Sequence, residues 1–217
     1  MSVFVAEELS EVLNTKVMIG RINIGLLNRI IIDDVLLDDQ SGQEMLKVTR
    51  LSAKFDIMPF FKGKISISSV QLFGFNINLR KETPDSPPNF KFVLDAFASK
   101  DTVKKENSLD LRINSILIRR GRMSYHVLSE EETPGKFNAK HIQLQNIIAN
   151  ISLKALSKDS LNLGIKRLSL DEKASGFSLK KMSLKLVANN KQTNIDNFTI
   201  ESVSYTHLRA HETKANL

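Results

Sequence analysis

The sequence of 217 residues contains no cysteine and no tryptophan, and only 5 prolines and 2 tyrosines. Without cysteine the chain has no disulfide framework, no thiolate metal site and no cysteine nucleophile. Few aromatic side chains are present to stack on single-stranded nucleic acid, and no zinc-finger or helix-turn-helix spacing occurs. The sequence therefore predicts no nucleic-acid partner.

A long hydrophobic run is also missing. The longest stretch without Asp, Glu, Lys or Arg is 65–79, and it includes Ser, Gln and Asn. A spanning helix needs about 20 apolar residues, so we predict none in this sequence. The formal net charge of +7 is spread along the chain, which fits weak attraction to an anionic surface such as phospholipid headgroups.

Motifs typical of catalysis are not found: there is no Gly-rich phosphate loop, no Gly-x-Ser-x-Gly and no convincing pair of carboxylates. His207 and His211 are four residues apart, half of a zinc site without a third ligand. We interpret His126 and His141 as ordinary surface or edge histidines. The sequence therefore predicts no enzyme, no cofactor and no metal site.

Four aspartates, at positions 33, 34, 38 and 39, surround three apolar residues and precede a Gln-Ser-Gly turn. They lack the register and the closing glutamate of a calcium loop. We interpret them as the solvated rim of a hairpin.

The periodicity of apolar residues predicts two helices in a chain of strands. Apolar residues at helical spacing indicate an amphipathic helix over 2–14, and another series indicates a short helix over 90–98, after the prolines of 84–88. From Lys16 onward the rest alternates with period two, as half-buried strands do.

Most predicted strands share the pattern apolar-x-apolar-x-x-apolar-x-apolar, in which the alternation slips by one residue. The slip turns the second pair of side chains outward unless a bulge or a bend absorbs one residue. The repeated slip predicts strands that all bend and keep one apolar face, although chance recurrence in an Ile- and Leu-rich chain is the alternative. The pattern occurs at 17–24, 46–53, 65–72, 111–118, 142–149, 163–170, 177–184 and 193–200.

We therefore predict a mainly β fold: a curved, elongated β-groove, an open solenoid-like sheet, with an N-terminal amphipathic helix and a short inserted helix. Apolar residues of the slipped strands are predicted to line the groove. They are Ile22, Ile24, Leu51, Ala53, Phe55, Val70, Leu72, Ile116, Ile118, Ile147, Leu168 and Leu170.

Several stretches resemble the AsmA-like superfamily, and most closely its TamB-type translocation and assembly module proteins. They are LSEVLNTKV at 9–17, IGRINIG at 19–25, LNRIIIDDV at 27–35, RLSAKFD at 50–56, VQLFGF at 70–75, FVLDAFASK at 92–100 and INSILIRRG at 113–121. The resemblance is most specific up to Gly121 and extends to about residue 201.

Members of this family are long periplasmic proteins anchored in the inner membrane. The resemblance implies that this chain is the membrane-proximal part of such a protein, without the anchor and the C-terminal domain, and that its partners are phospholipid and the inner membrane. It implies a groove that carries phospholipid toward the outer membrane, with Phe4, Val5 and Leu9 of the first helix near the inner membrane. The alternatives are a scaffold for outer-membrane β-barrel assembly, with assembly proteins as partners, and a closed β interaction domain.

The last residues follow a different pattern. The stretch VSYTHLRAHET at 203–213 resembles the adapter read-through that ends many assembled gene fragments. We therefore predict three regions: the helix over 1–14, the groove unit over 15–201 and a non-native tail over 202–217. Residues 203–217 are predicted to contribute nothing to fold or function.

Overall fold

A computed structural model describes residues 2–26, 28–55, 67–98, 114–156, 160–189 and 192–204. These residues form two helices and nine strands. In chain order they are α1 (Ser2–Leu13), β1 (Val17–Gly25), β2 (Arg29–Asp38), β3 (Glu44–Phe55), β4 (Ile67–Lys81), α2 (Lys91–Ala98), β5 (Ser115–Val127), β6 (His141–Leu156), β7 (Ser160–Glu172), β8 (Phe177–Asn189) and β9 (Thr193–Ser204).

The nine strands form one open, curved sheet in which spatial order follows chain order from β1 to β9. Neighbouring strands are antiparallel except β4 and β5, which are parallel. A parallel pair needs a long crossover connection, and the segment between β4 and β5 supplies it and carries α2. The predicted mainly β, open fold with two short helices is therefore confirmed.

Helix α1 ends in a Schellman motif. Asn14 has a left-handed φ of 49°, its N–H donates to the carbonyl of Glu11 at 3.3 Å, and the N–H of Thr15 donates to the carbonyl of Ser10 at 3.1 Å. Asparagine tolerates this backbone region better than most residues, which is why the helix stops here. Only Ala6 and Leu13 of α1 are buried, so the helix packs through a narrower face than its sequence pattern predicts.

Asn89 ties the start of helix α2 to the sheet by hydrogen bonds. The side chain of Asn89 accepts from the N–H of Arg80 at 3.0 Å and donates to the carbonyl of Asn78 and a carboxylate oxygen of Asp39, both at 3.1 Å. The start of α2 is thus tied to the end of β4 and to the β2–β3 turn. Neither described helix is long and apolar enough to span a bilayer.

Each strand slips between its two apolar pairs, and we call the residues at these slips the crease; the pairing register places them at one level in β1–β5 and staggers them in β6–β9. The crease consists of the two residues between the apolar pairs in each strand: 20–21, 33–34, 49–50, 73–74, 119–120, 145–146, 166–167, 180–181 and 196–197. In β4 and β5 the crease lies five residues beyond the slip that the sequence predicts. Strand β2 has the pattern too, at 30–37, and inspection of the sequence missed it.

Backbone geometry at the crease absorbs the extra residue. Asp34, Gly74, Arg120, Asn146 and Asn197 have φ between 54° and 65°, the left-handed region. The pairing register also shifts at crease residues, for example between Ile165 and Leu168 in β7 and between Gln145 and Ile148 in β6. A one-residue bulge rotates the strand so that apolar side chains on both sides of the crease face the same way.

The packing of the sheet's centre confirms that consequence. Val48, Phe75 and Ile147 form a buried cluster, in which Val48 and Phe75 lie on the helix side of the crease. Residues from the other side of the crease, including Leu51, Leu72 and Ile118, pack against the same cluster. Without the slip, these two sets would point to opposite faces of the sheet.

Candidate functional site

The apolar face of the sheet carries an unbroken row of cross-strand neighbours, which we call the central row. Directly opposed residues project from the same face, so the register defines the row without further assumption. It runs through all nine strands as Ile22, Ile32, Leu51, Leu72, Ile118, Ala149, Leu168, Met182 and Ile200.

A second row, the distal row, lies two residues farther from the helices on the same face. It crosses eight strands as Ile24, Ile30, Ala53, Val70, Ile116, Ile151, Ile165 and Leu184. Together the two rows make a continuous apolar strip along the sheet. The strip is perpendicular to the strands and follows the long direction of the sheet.

The structure brings most of the predicted lining residues into this strip. Ile22, Leu51, Leu72, Ile118 and Leu168 stand in the central row. Ile24, Ala53, Val70 and Ile116 stand in the distal row. Ile147 and Leu170 belong to the cluster around Phe75, while the side chain of Phe55 lies outside the described residues.

Exposure along the strip is high for apolar side chains. Most members of the two rows are half-buried, Ile24 is 80% exposed and Ile200 is 53% exposed. Among the described residues, no second layer packs over the distal row. The strip is therefore an open apolar surface, not a closed core.

The two helices cover the other end of the apolar face. Leu13, Val17, Leu37 and Met45 form a buried cluster there, and side chains of the α2 region pack against it, Phe92 among them. Of the residues predicted to lie near a membrane, Phe4 and Leu9 are exposed, at 62% and 37%, and Val5 is half-buried. Helix α1 thus turns apolar side chains both to the sheet and to solvent.

The opposite face of the sheet is polar, and its crease holds an ion pair between a buried aspartate and an exposed arginine. Asp33 is only 4% exposed, and Arg50 donates to it through Nε at 2.6 Å and through a terminal nitrogen at 3.3 Å. The hydrogen bond from Arg50 holds the pKa of Asp33 below its ordinary value, against the opposing effect of burial. Arg21 adds a weaker contact at 3.9 Å.

The interpretation of the four aspartates as a solvated rim is therefore wrong for two of them. Asp33 pairs with Arg50 at the crease. Asp39 is 2% exposed and accepts the hydrogen bonds that shape the β2–β3 turn. Asp39 accepts from the hydroxyl and N–H of Ser41 and from the N–H of Gln43, and Arg80 lies 2.6 Å away. Burial raises the pKa of Asp39, but the hydrogen bonds from Ser41, Asn89 and Gln43 outweigh it and the net pKa is lowered.

A surface depression of about 610 Å³ lies on this polar face, and Leu72 of the central row also borders it. Its lining includes Arg50, Phe73 and Arg119, with the guanidinium of Arg120 5.2 Å from the Phe73 ring. For a chain-like ligand, the continuity of the apolar strip is a better guide to a site than the volume of a single depression.

Two histidines that the sequence analysis interprets as ordinary surface or edge residues are brought together at the sheet's end. His126 and His141 are directly opposed in β5 and β6, and their Nδ1 atoms are 3.0 Å apart. The interpretation of His141 as a surface histidine is wrong, because it is only 7% exposed. Their separation of 15 residues carries no ligand motif, so only the strand register reveals the pair.

Comparisons with known proteins neither support nor contradict the resemblance to AsmA-like proteins. No model of a known protein family matches the chain, and no characterised protein matches it either. The relation to AsmA-like proteins therefore stays a prediction.

Proposed function

We propose that this chain is a segment of a periplasmic, inner-membrane-anchored protein whose apolar strip holds phospholipid acyl chains on their way to the outer membrane. The carrying observation is the central row, an apolar line through nine strands that the described residues leave partly open. The family resemblance supplies the compartment and the direction. The proposal includes no catalytic step.

Energetics favour an apolar occupant. Leaving apolar surface in water costs about 25 cal/mol per Å², and covering it with hydrocarbon recovers about 0.8 kcal/mol for each buried CH₂. Neighbouring strands are about 4.8 Å apart, so a row through nine strands is roughly 38 Å long. The row is therefore longer than a single acyl chain. This length suits a ligand that moves along the row better than a ligand bound at one fixed position.

The geometry also separates chains from headgroups. The apolar strip contains no acidic or basic side chain in either row, whereas the crease on the opposite face contains eight Lys and Arg residues: Arg21, Arg50, Arg119, Arg120, Lys166, Arg167, Lys180 and Lys181. A charged headgroup bound at the strip therefore stays on the open, solvated side of the trough. This arrangement avoids burying an unpaired charge.

Helix α1 marks the proposed membrane-facing end. Its exposed Val3, Phe4 and Val12, at 66%, 62% and 48%, are available to an interfacial layer while Ala6 and Leu13 fix the helix to the sheet. Apolar side chains exposed on a helix favour the boundary between headgroups and acyl chains. Lipid would then enter near β1 and leave past β9.

The scaffold alternative rests on a different part of the molecule. In the described part of the chain β9 pairs with β8 on one side and with no strand on the other. Unpaired strand edges are templates for adding a further strand, as assembly of a β-barrel client requires. The same edge is also where a further repeat of the groove would join, so the test must separate lipid from protein.

The test places a photo-crosslinking amino acid at Ile116 or at Leu117. These neighbours are both half-buried, but Ile116 stands in the distal row and Leu117 borders the depression on the polar face. The purified chain is irradiated with vesicles of phosphatidylethanolamine and phosphatidylglycerol, and adducts are identified by mass spectrometry. Phospholipid adducts are expected at 116 and at Leu72 of the central row, and not at 117 or at the exposed Lys54.

Substitution with aspartate gives the matched functional test. Ile116→Asp places a charge in the path of hydrocarbon, whereas Leu117→Asp places the same charge on the polar face. We expect the first change to abolish adduct formation at Leu72 and the second to leave it intact, with circular dichroism showing folded protein in both. Equal capture on both faces, or none on either in a folded chain, contradicts the proposal; capture of client strands by β9 alone favours the scaffold.

A further inference from the structure

The β5–β6 end of the sheet brings two imidazoles and a carboxylate into metal-binding geometry. His126 Nδ1 and His141 Nδ1 are 3.0 Å apart, and Oε1 of Glu132 lies 3.7 Å from the first and 4.0 Å from the second. One ligand atom from each residue thus lies within 4.8 Å of the others. We propose that His126, His141 and Glu132 bind a divalent transition-metal ion, for which Zn²⁺ is the probe.

The distances suit such an ion. Zinc binds imidazole nitrogen at about 2.0–2.1 Å and carboxylate oxygen at about 2.0–2.2 Å, so two ligand atoms in a tetrahedral site stand about 3.4 Å apart. The two nitrogens are already close to that separation. Glu132 must move by about half an ångström, and its side chain, 63% exposed in the 128–140 loop, has the freedom to do so.

The surroundings orient His141 as a ligand. Its Nε2 lies 2.9 Å from the carbonyl oxygen of Glu130, an oxygen that can only accept, so Nε2 carries the proton and Nδ1 presents its lone pair. A hydrogen bond on the distant nitrogen is the usual partner of a metal-bound imidazole. The ring is fixed further by its position, because His141 is 7% exposed.

Without metal, His126 supplies the proton that joins the two rings. Since Nδ1 of His141 must accept, Nδ1 of neutral His126 donates across the 3.0 Å contact. When the ion binds, that proton moves to Nε2 of His126 and Nδ1 becomes a ligand. Two neutral imidazoles therefore reach the bound form with no net loss of a proton.

Charge and ligand type both select the ion. Glu130, Glu131 and Glu132 follow one another in the loop, and Lys140 pairs with Glu130 at 2.6 Å, so the carboxylate of Glu132 keeps its charge for the cation. Imidazole ligands favour zinc, copper and nickel over magnesium and calcium, which prefer oxygen alone. Three protein ligands leave one position of a tetrahedral ion for water or for a group from another molecule.

The site is on the polar face, so it is independent of the apolar strip. His126 lies with Arg122, Ser124 and Gln143 around a depression on that face. A metal ion bound there would link three parts of the protein: strand β5, strand β6 and the loop between them. A bound ion is thus expected to stabilise the 128–140 loop.

The experiment measures Zn²⁺ affinity by competition with a chromophoric chelator. All proteins carry His207→Gln and His211→Gln, which removes the other two histidines of the chain. We expect one Zn²⁺ per chain, about a hundredfold weaker binding in His126→Gln and in His141→Gln, and about tenfold weaker binding in Glu132→Gln. Excess Mg²⁺ and Ca²⁺ should not displace the ion.

Glu131→Gln is the matched control, since it makes the same change of charge one residue away in the same loop. It should bind Zn²⁺ like the parent chain, and a hundredfold excess of Zn²⁺ over its Kd should raise the thermal midpoint of both by roughly 5–10 °C. The Co²⁺ form of the parent should show the strong visible absorption of a four-coordinate site. The proposal is overturned if the histidine variants bind Zn²⁺ as tightly as the parent, or if Glu131→Gln weakens binding as much as Glu132→Gln.

Discussion

Two regions of the apolar face differ in what covers them. At the helix-covered end Leu13, Val17, Leu37 and Met45 are each at most 9% exposed. In β9 the apolar residues Ile195, Phe198 and Ile200 are 53–58% exposed. The difference shows that alternation fixes which face a side chain joins, whereas burial depends on whether another element lies over that face.

The helix-covered end and β9 are also expected to differ in local stability. Apolar side chains at the covered end contribute the full transfer free energy of burial, about 1.5–3 kcal/mol each, while those of β9 contribute a fraction of it. The covered end is therefore expected to open last and β9 first, as local unfolding follows the density of buried contacts. An open apolar surface suited to lipid is, by the same physics, a poorly stabilised part of the fold.

The largest effect should come from removing a ring from the buried cluster at the sheet's centre, compared with removing a ring from β9. Phe75 is 7% exposed at the centre of the buried cluster, and Phe198 is 58% exposed in β9. We expect Phe75→Ala to lower the free energy of unfolding by about 3–5 kcal/mol and Phe198→Ala by less than about 1 kcal/mol. Urea titration followed by circular dichroism gives both values, and similar losses would show that β9 is covered after all.

A second substitution tests how tightly the buried cluster around Phe75 is packed. A methyl group on Gly121 would lie 2.3 Å from the Phe75 ring, too close for any contact. Gly121→Ala should therefore destabilise the fold by about 1–3 kcal/mol in the parent chain.

The control for Gly121→Ala is the same change in the Phe75→Ala background, where the ring is gone. There most of the cost of the added methyl group should disappear, with a remainder from its 3.1 Å contact with Cβ of Ile147, so the coupling energy should be a large part of the single-variant loss. An equal loss in both backgrounds would locate the strain in the backbone of β5 rather than in the ring.

Much of the fold follows from the sequence because its cause is local. The apolar spacing of 2–14 and 90–98 predicts helices within one residue of α1 and α2. The repeated slip predicts the crease, since a residue such as Asn146 or Asn197 must absorb one position to keep the face constant. In β4 and β5 a second copy of the pattern set the crease at Gly74 and Arg120, and sequence alone could not choose between the copies.

The features missed depend on contacts between distant residues. Burial of Asp33 requires Arg50 from the next strand, and the His126–His141 pair requires the register of β5 on β6. In neither pair does the sequence separation of the two residues match a known motif. A partial signal existed for the pair, because two histidines that flank a 14-residue hairpin connection are candidates for direct opposition.

A smaller effect concerns a buried carboxylate of the β7–β8 turn. Glu172, 3% exposed, accepts from the N–H and hydroxyl of Ser175 and from the N–H groups of Ala174 and Gln143. Burial raises its pKa, but these hydrogen bonds outweigh burial and leave the pKa below its ordinary value of 4.5. Its contribution to stability is therefore complete above pH 4.5 and is lost as the pH falls through the lower folded value.

Glu172→Gln should cost about 1–2 kcal/mol at neutral pH, since the amide group of glutamine brings a donor to a turn that offers donors. The decline of stability below pH 4.5 should also become shallower, because the variant has one fewer carboxylate to protonate. Chemical unfolding at several pH values measures both effects. Glu131→Gln, on an exposed loop residue, should leave the slope unchanged, and an equal flattening would assign the slope to charge in general.

The smallest effect is expected from removing the C-terminal residues, which tests whether the apolar residues of β9 are also exposed in the native protein. Strand β9 runs to Ser204, inside the region predicted as a tail, and 205–217 lie outside the described residues. If the adapter-like residues are not part of the biological sequence, deleting 205–217 should change neither the thermal midpoint nor phospholipid capture at Leu72. It should also leave unchanged the fluorescence of a dye that binds exposed apolar surface, because Ile195, Phe198 and Ile200 remain as open as before. A rise in dye fluorescence with a lower midpoint would mean that the tail covers β9, and the contrast between the two ends of the sheet would then shrink.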